Sequence, residues 1–154
     1  MQKIEIYLIS KKDEPCYDTI ANEFIKMSQK YATIKIYTVF NKMINQSQKR
    51  GEEEAKSSYS KALETFLKKD SLNIALDPLG KELDSFEFAN MIKDSPKINF
   101  FIGGAFGFGR SFIKKCEKNI SLSKLTLNHK IAKLVLLEQL YRAFTIINLH
   151  PYHK

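Results

Sequence analysis

In "KIEIYLIS" (Lys3 to Ser10) apolar and polar positions alternate among β-branched and aromatic residues, which predicts a strand that Asp13 and Pro15 bring to an end. From Tyr17 the period changes. Tyr17, Ile20, Ala21, Phe24, Met27 and Tyr31 follow helical spacing, and "TIKIYTVF" (Thr33 to Phe40) returns to a strand pattern. The polar stretch "NKMINQSQKRGEEE" reads as a loop or a frayed helix start. Beyond it, Ala55, Tyr59, Ala62, Leu63, Phe66 and Leu67 form an amphipathic stripe opposite lysines and glutamates, a face plainly read as solvated surface.

"LNIALD" (Leu72 to Asp77) is apolar without alternation, as suits a strand covered on both sides, and Pro78 and Gly80 should stop it. A helix opens at "DSFEFANMI" with Asp84 or Ser85 as its cap. "INFFIGG" (Ile98 to Gly104) is a fourth strand, "GRSFIKKCEK" the helix after it, and "NISLSKLTL" (Asn119 to Leu127) a last strand and loop. Asn128 can cap the closing helix. That order, β-α-β-α-β-α-β-α-β-α with long connections, predicts a single α/β domain over 1–154, a parallel sheet with helices on both faces.

The closing helix is apolar nearly all round, as expected of a helix buried in a core or a subunit interface. Within it Glu138 and Arg142 stand four apart in the favourable order for an ion pair. Burying a charged pair is weak support for stability, so a functional arginine at an interface is the second reading.

Charge adds to this picture. With 25 Lys+Arg against 17 Asp+Glu the chain carries +8, which favours a polyanionic partner such as nucleic acid or an acidic membrane surface. Only Arg50, Arg110 and Arg142 are arginines. Cys16 and Cys116 lie a hundred positions apart without a CxxC, giving neither a zinc pattern nor a disulfide framework. The start is too short and too alternating for a secretory signal, and no apolar run is long enough to span a membrane. A soluble, cytoplasmic protein with no membrane role is the expectation.

Ligands of open α/β sheets sit beyond the carboxyl ends of strands, here the loops after Asp77, Ile102 and Ser123. "GGAFGFG" invites a dinucleotide reading. It lies late in the chain rather than in the first βα turn, and no GK[ST] follows, so turn glycines are the simpler account. His129, His150 and His153 fit no standard metal spacing, and no metal is expected. His129 sits at a helix start, where the dipole disfavours its charged form.

Taken together, "LDPLGK", "SFEFA", "FFIGGAFGFG", "SLSKLTLNH", "LLEQLYRA" and "HPYHK", in this order, resemble the bacterial large-subunit rRNA pseudouridine N3-methyltransferase family of the SPOUT class. The resemblance runs end to end and is most specific in the C-terminal half. It implies a SPOUT α/β-knot with a C-terminal deep trefoil knot, a homodimer packed through the knotted helices, and S-adenosylmethionine as methyl donor. The implied acceptor is a pseudouridine in the helix 69 loop of 23S rRNA within the assembled 70S ribosome. By matching motif, Leu76, Gly103, Gly104, Leu122, Ser123, Lys124, Leu125, Thr126 and Leu127 correspond to cofactor-wrapping loops. His129, Arg142, Tyr152, His153 and Lys154 correspond to the RNA-facing and acceptor-positioning set. Phe106 and Asn128 depart from the family, in which many members carry an acidic or small polar residue and a proline there. Two rivals are a non-enzymatic basic RNA-binding or ribosome-associated factor and a SPOUT enzyme acting on another RNA such as tRNA.

Overall fold

The computed structural model describes residues 1–154. Five parallel strands, β1 (Gln2–Ile9), β2 (Ala32–Val39), β3 (Leu72–Glu82), β4 (Lys97–Ile102) and β5 (Lys118–Ser121), form one sheet in the order β2-β1-β4-β3-β5. The helices are α1 (Pro15–Ser28), α2 (Lys42–Arg50), α3 (Glu52–Glu64), α4 (Ser85–Ile92), α5 (Arg110–Lys114) and α6 (His129–Ile147).

Period-two alternation sorts the strand residues onto two faces. Ile4, Ile6, Leu8, Ile74, Ile98 and Phe100 meet α1, α4 and α6 on one side. Tyr7, Ile9, Ala75 and Phe101 meet Ile44 of α2, Tyr59 and Leu63 of α3 and Phe112 of α5 on the other. A one-residue slip in register would turn each of these sets the wrong way, so burial fixes the pairing. The expected parallel sheet with helices on both faces is thus present. No helix is long and apolar enough to cross a membrane.

Three boundaries differ from the sequence reading. The polar stretch after β2 is a complete helix, α2: the Asn41 side chain accepts the Ile44 amide at 2.8 Å, and Ile44 is fully buried. One buried apolar residue among nine is too faint a periodic signal to separate this helix from a loop. The helix predicted over "GRSFIKKCEK" shrinks to Arg110–Lys114, because β5 already starts at Lys118. Most consequential, Pro78 and Gly80 do not stop β3, which runs on to Glu82. The caps fall where expected. Asp84 and Glu87 form a reciprocal capping box with both bonds at 2.8 Å.

The extension of β3 organises the carboxyl end of the sheet. Leu76 registers with Ile120, and after the Asp77–Gly80 excursion Lys81 registers with Ile120 again and Glu82 with Ser121. The excursion lies directly on the β5 backbone. A Cβ at Gly80 would come within 2.7 Å of the Ile120 carbonyl carbon and 2.8 Å of its nitrogen, distances only a glycine permits. A buried ion pair ties α6 to the loop after β1: Lys133 donates to Asp13, and both side chains are almost wholly excluded from solvent. Removing one partner of such a pair leaves an uncompensated buried charge, a loss of roughly 3–5 kcal/mol.

At the opposite end of the strands, buried Glu5 accepts from Lys68 Nζ at 2.7 Å and Tyr7 Oη at 2.9 Å and pairs with Lys3 at 3.1 Å. The Lys68 hydrogen bond is the largest influence, and against desolvation it holds the Glu5 carboxyl down to about 2.

Gly80→Ala should lower stability by roughly 1–3 kcal/mol through overpacking against backbone, measured by urea denaturation; wild-type stability would mean the crossing has slack. Because the folded pKa of Glu5 is depressed, its stabilisation is present above the ordinary value of 4.5 and is lost as pH falls from there towards about 2. In Glu5→Gln that segment of the stability-against-pH curve should flatten, which thermal melts between pH 5 and 2 will read.

Candidate active site

Beyond the carboxyl ends of β3, β4 and β5 lies a cavity of about 410 Å³, within the span of roughly 300–1,000 Å³ usual for small-molecule sites. Leu76, Asp77 and Pro78 supply one wall, Ile102 to Ala105 with Gly107 a second, and Ser121 to Ser123 with Leu125 to Leu127 a third. Asn128, His129 and Ala132 close it from the start of α6.

Local hydrogen bonds shape each loop. Asp77 accepts the Leu79 amide at 3.2 Å and the Asn119 side-chain amide at 3.1 Å, so its carboxylate holds the first wall onto β5. In the second, Gly107 takes a positive φ of 73° and its amide donates to the Gly104 carbonyl at 3.0 Å. A Cβ on Gly104 would strike the Tyr59 ring at 2.6 Å. In the third, Ser121 Oγ donates to the Ser123 carbonyl at 2.8 Å, and Ser123 Oγ accepts the Leu125 amide at 2.9 Å. Asn128 then caps α6 by accepting the Lys130 amide at 2.9 Å.

Of the residues matched to cofactor wrapping, Leu76, Gly103, Gly104, Leu122, Ser123, Leu125, Thr126 and Leu127 all line this cavity. Lys124 does not: its side chain is 82% exposed and reaches towards Glu82 at 3.9 Å. Sequence matching named a segment, and the turn around Ser123 sends this one side chain outwards. Asp77, Ala105, Gly107, Ser121 and Ala132 also line the cavity without having been matched to a ligand role. Asp77 and Ser121 stand at or near strand ends and Ala105 and Gly107 lie in the glycine run, whereas Ala132, inside α6, carried no signal in the sequence.

No lysine or arginine lines the cavity, and its one acid is committed to the loop. Such a lining suits a partly apolar ligand held through backbone groups and offers a polyphosphate no cationic side chain. His129 is the one lining side chain able to exchange a proton near neutrality. Burial, with the charge of Lys130 adding to it, holds its pKa below the ordinary histidine value.

A second cluster gathers Arg142, Tyr152 and His153, and its hub is Glu138. One Glu138 oxygen accepts from Arg142 Nε at 3.0 Å and from Tyr152 Oη at 3.2 Å; the other accepts from Gln139 at 2.7 Å. Arg142 lies 4.9 Å from the Tyr152 ring centroid and 3.3 Å from His153 Nδ1, and the His153 ring meets Phe86 edge-on at 4.7 Å. The Glu138 hydrogen bond raises the Arg142 pKa; burial, then Glu138, raises that of Tyr152, so one stays charged and the other protonated. The tail reaches this place by reversing after α6: His150 donates to Thr145 at 2.8 Å and Leu149 to Ile146 at 3.2 Å, with Leu149 at φ 55° where glycine is usual. Lys154 is exposed at the end. His129 and Arg142 share α6 but are thirteen residues apart, which at helical rise is about 20 Å. Within one chain the cavity and the tail cluster are therefore separate places.

A family model described as "Predicted SPOUT methyltransferase" matches residues 2–153. The chain belongs to the SPOUT methyltransferase family. Curated relatives named "Ribosomal RNA large subunit methyltransferase H" include one from a Nitratiruptor species, 53% identical over 154 residues and 100% of both chains. Another, from Aliarcobacter butzleri, is 49% identical over 152 residues and 99% of each chain, and one from Sulfurovum is 46% identical over 153 residues and 99% of each. For a SPOUT methyltransferase the cavity has a fitting character, since methyl transfer depends on position and dryness more than on covalent help.

A depressed histidine pKa means that His129 is neutral at pH 7 and gains its proton only below the ordinary value of 6.5. The methyl-transfer rate should therefore hold from pH 8 down through 6.5 and fall only below it, and the His129→Asn variant should lack that acid limb. An acid limb unchanged in the variant would assign it to another group.

Proposed function

We propose that this chain is an S-adenosylmethionine-dependent methyltransferase acting on N3 of a pseudouridine in the helix 69 loop of 23S rRNA, within the assembled 70S ribosome. The observation that carries the reading is the cavity: built from the three loops after β3, β4 and β5, free of cationic side chains, with His129 at its edge. The names of the curated relatives support the substrate class, and the charge of +8 suits a polyanionic acceptor.

Leu76, Gly103, Gly104 and the Leu122–Leu127 segment would hold S-adenosylmethionine, whose sulfonium supplies an electrophilic methyl group when bound. Lys124 serves on the outside of that segment. The chain's own work is to orient the acceptor ring, exclude water and take charge of one proton. The acceptor is an imide nitrogen that must lose its proton. A neutral His129 can accept it, an arginine can stabilise the developing negative charge, and a protonated tyrosine can stack on the base or donate to it.

The separation of about 20 Å along α6 favours a homodimer in which the tail of one copy serves the cavity of the other. The reading includes a single domain threaded as a deep trefoil knot, which membership of the SPOUT family supports. A cytoplasmic location follows from the ribosomal substrate.

Mass spectrometry of the helix 69 fragment of 23S rRNA, from cells with and without this protein, tests the assignment: the methylated pseudouridine should be present only with it. A tRNA methylated instead would redirect it to another RNA, and calorimetry finding no binding of S-adenosylmethionine would favour a non-enzymatic factor. Arg142→Ala should lower turnover by roughly a hundredfold, as for loss of one charge-stabilising group, with fold and cofactor affinity retained; a dissociated dimer would show the arginine to be structural. Deleting Tyr152 to Lys154 should abolish methylation and spare the cofactor Kd.

A further inference from the structure

The glycine turn after β4 carries a side chain that the cavity does not use. Gly104, Ala105 and Gly107 line the cavity, whereas Phe106 between them does not. It stands on the rim with 39% of its surface exposed. The backbone beneath it is fixed. Gly104 and Gly107 form an antiparallel bridge, and fully buried Tyr59 presses on Gly104 from below while donating to Gln48 Oε1 at 2.6 Å. Phe106 is therefore presented by an anchored turn.

Three positions beyond Gly107, Arg110 begins α5. It is exposed and belongs to none of the protein's ion pairs, whereas Arg50 and Arg142 each face a glutamate four positions away. Isolated exposed apolar residues are ordinary on protein surfaces. Phe106 differs in three respects: its backbone is braced, its turn forms a lip of the cavity to which a methyl acceptor must come, and an unpaired guanidinium follows it. A flat π face with an arginine outside the ion pairs four positions on in the chain is the combination that single-stranded RNA recognition uses, for stacking on bases and contacting phosphate. The +8 charge favours the same occupant over an apolar protein surface.

We propose that Phe106 and Arg110 form a nucleotide-holding rim, with the Phe106 ring stacked on an unpaired base beside the methyl acceptor and Arg110 on a phosphate of the same single-stranded RNA segment. This rests on the RNA-methyltransferase reading above and adds a second RNA contact, distinct from the tail cluster. The rim positions the substrate and takes no part in the chemistry.

The test measures methyl transfer from labelled S-adenosylmethionine to unmodified 70S ribosomes, with cofactor Kd by calorimetry as the check on folding. Phe106→Ala should raise KM for the ribosome about tenfold or more, the loss expected of one stacked base, at unchanged cofactor Kd. Phe106→Trp should restore KM, and Phe106→Leu, apolar but without a π face, should not. Arg110→Ala should reduce the slope of log KM against log salt by about 0.7, the share of one phosphate on a single strand. An unchanged KM in Phe106→Ala, a leucine as good as tryptophan, or an unchanged salt slope in Arg110→Ala would overturn the rim. A wild-type protein that binds S-adenosylmethionine but leaves the ribosome unmethylated would overturn the ribosomal reading and the rim with it; active wild type with indifferent variants would overturn the rim alone.

Discussion

The contact on which the rest of the site depends is backbone on backbone, where the Asp77–Gly80 excursion of β3 lies over Ile120 of β5. A side chain at Gly80 would hold these segments apart. Their closeness lets Lys81 and Glu82 re-register with β5, and the Asp77 carboxylate completes the junction by accepting from Asn119. Three loops distant in sequence thereby converge on one cavity. Its polarity follows from the same construction: walls made of strand ends and tight turns present backbone groups and short side chains, and lysines such as Lys124 are turned out to water.

The second organising constraint is the length of α6. A nineteen-residue helix running from the cavity edge at His129 carries Arg142 far from the cavity on the same chain. Its first half belongs to the cavity and its second half to the tail. Glu138 holds the tail cluster together, meeting Arg142, Tyr152 and Gln139 at once, so the guanidinium is charged, oriented and only partly buried. The buried Asp13–Lys133 pair and the Asn128 cap fix the other end of the helix, and with it the imidazole whose burial keeps it neutral.

Much of the architecture was legible along the chain. The β-branched and aromatic runs "KIEIYLIS" and "TIKIYTVF" reported β1, buried without a break from Ile4 to Ile9 between two helical layers, and β2, an edge strand that starts with buried and exposed residues in alternation. Local chemistry also sufficed for the Asp84 and Asn128 caps and for the Glu138–Arg142 pair, whose partners lie within four residues. α2 was illegible because its one fully buried apolar residue, Ile44, leaves almost no periodic trace. The loops that line the cavity were named as segments through resemblance, and Lys124 shows where that stops, since a matched segment does not say which way each side chain points.

By itself, then, the sequence determined the parallel α/β class, most element positions, the family and the segments from which the site is built, because these depend on periodicity, local capping and motif order. Tertiary structure alone decided that β3 continues past Pro78 and Gly80, that three loops close one cavity without cationic side chains, and that Lys133 of α6 pairs with Asp13 in the loop after β1. Each of those is a relation between residues far apart in the chain. Local propensity at Pro78 and Gly80 points to a stop, and only the backbone of Ile120, forty residues away from Gly80, supplies the partner that overrides it.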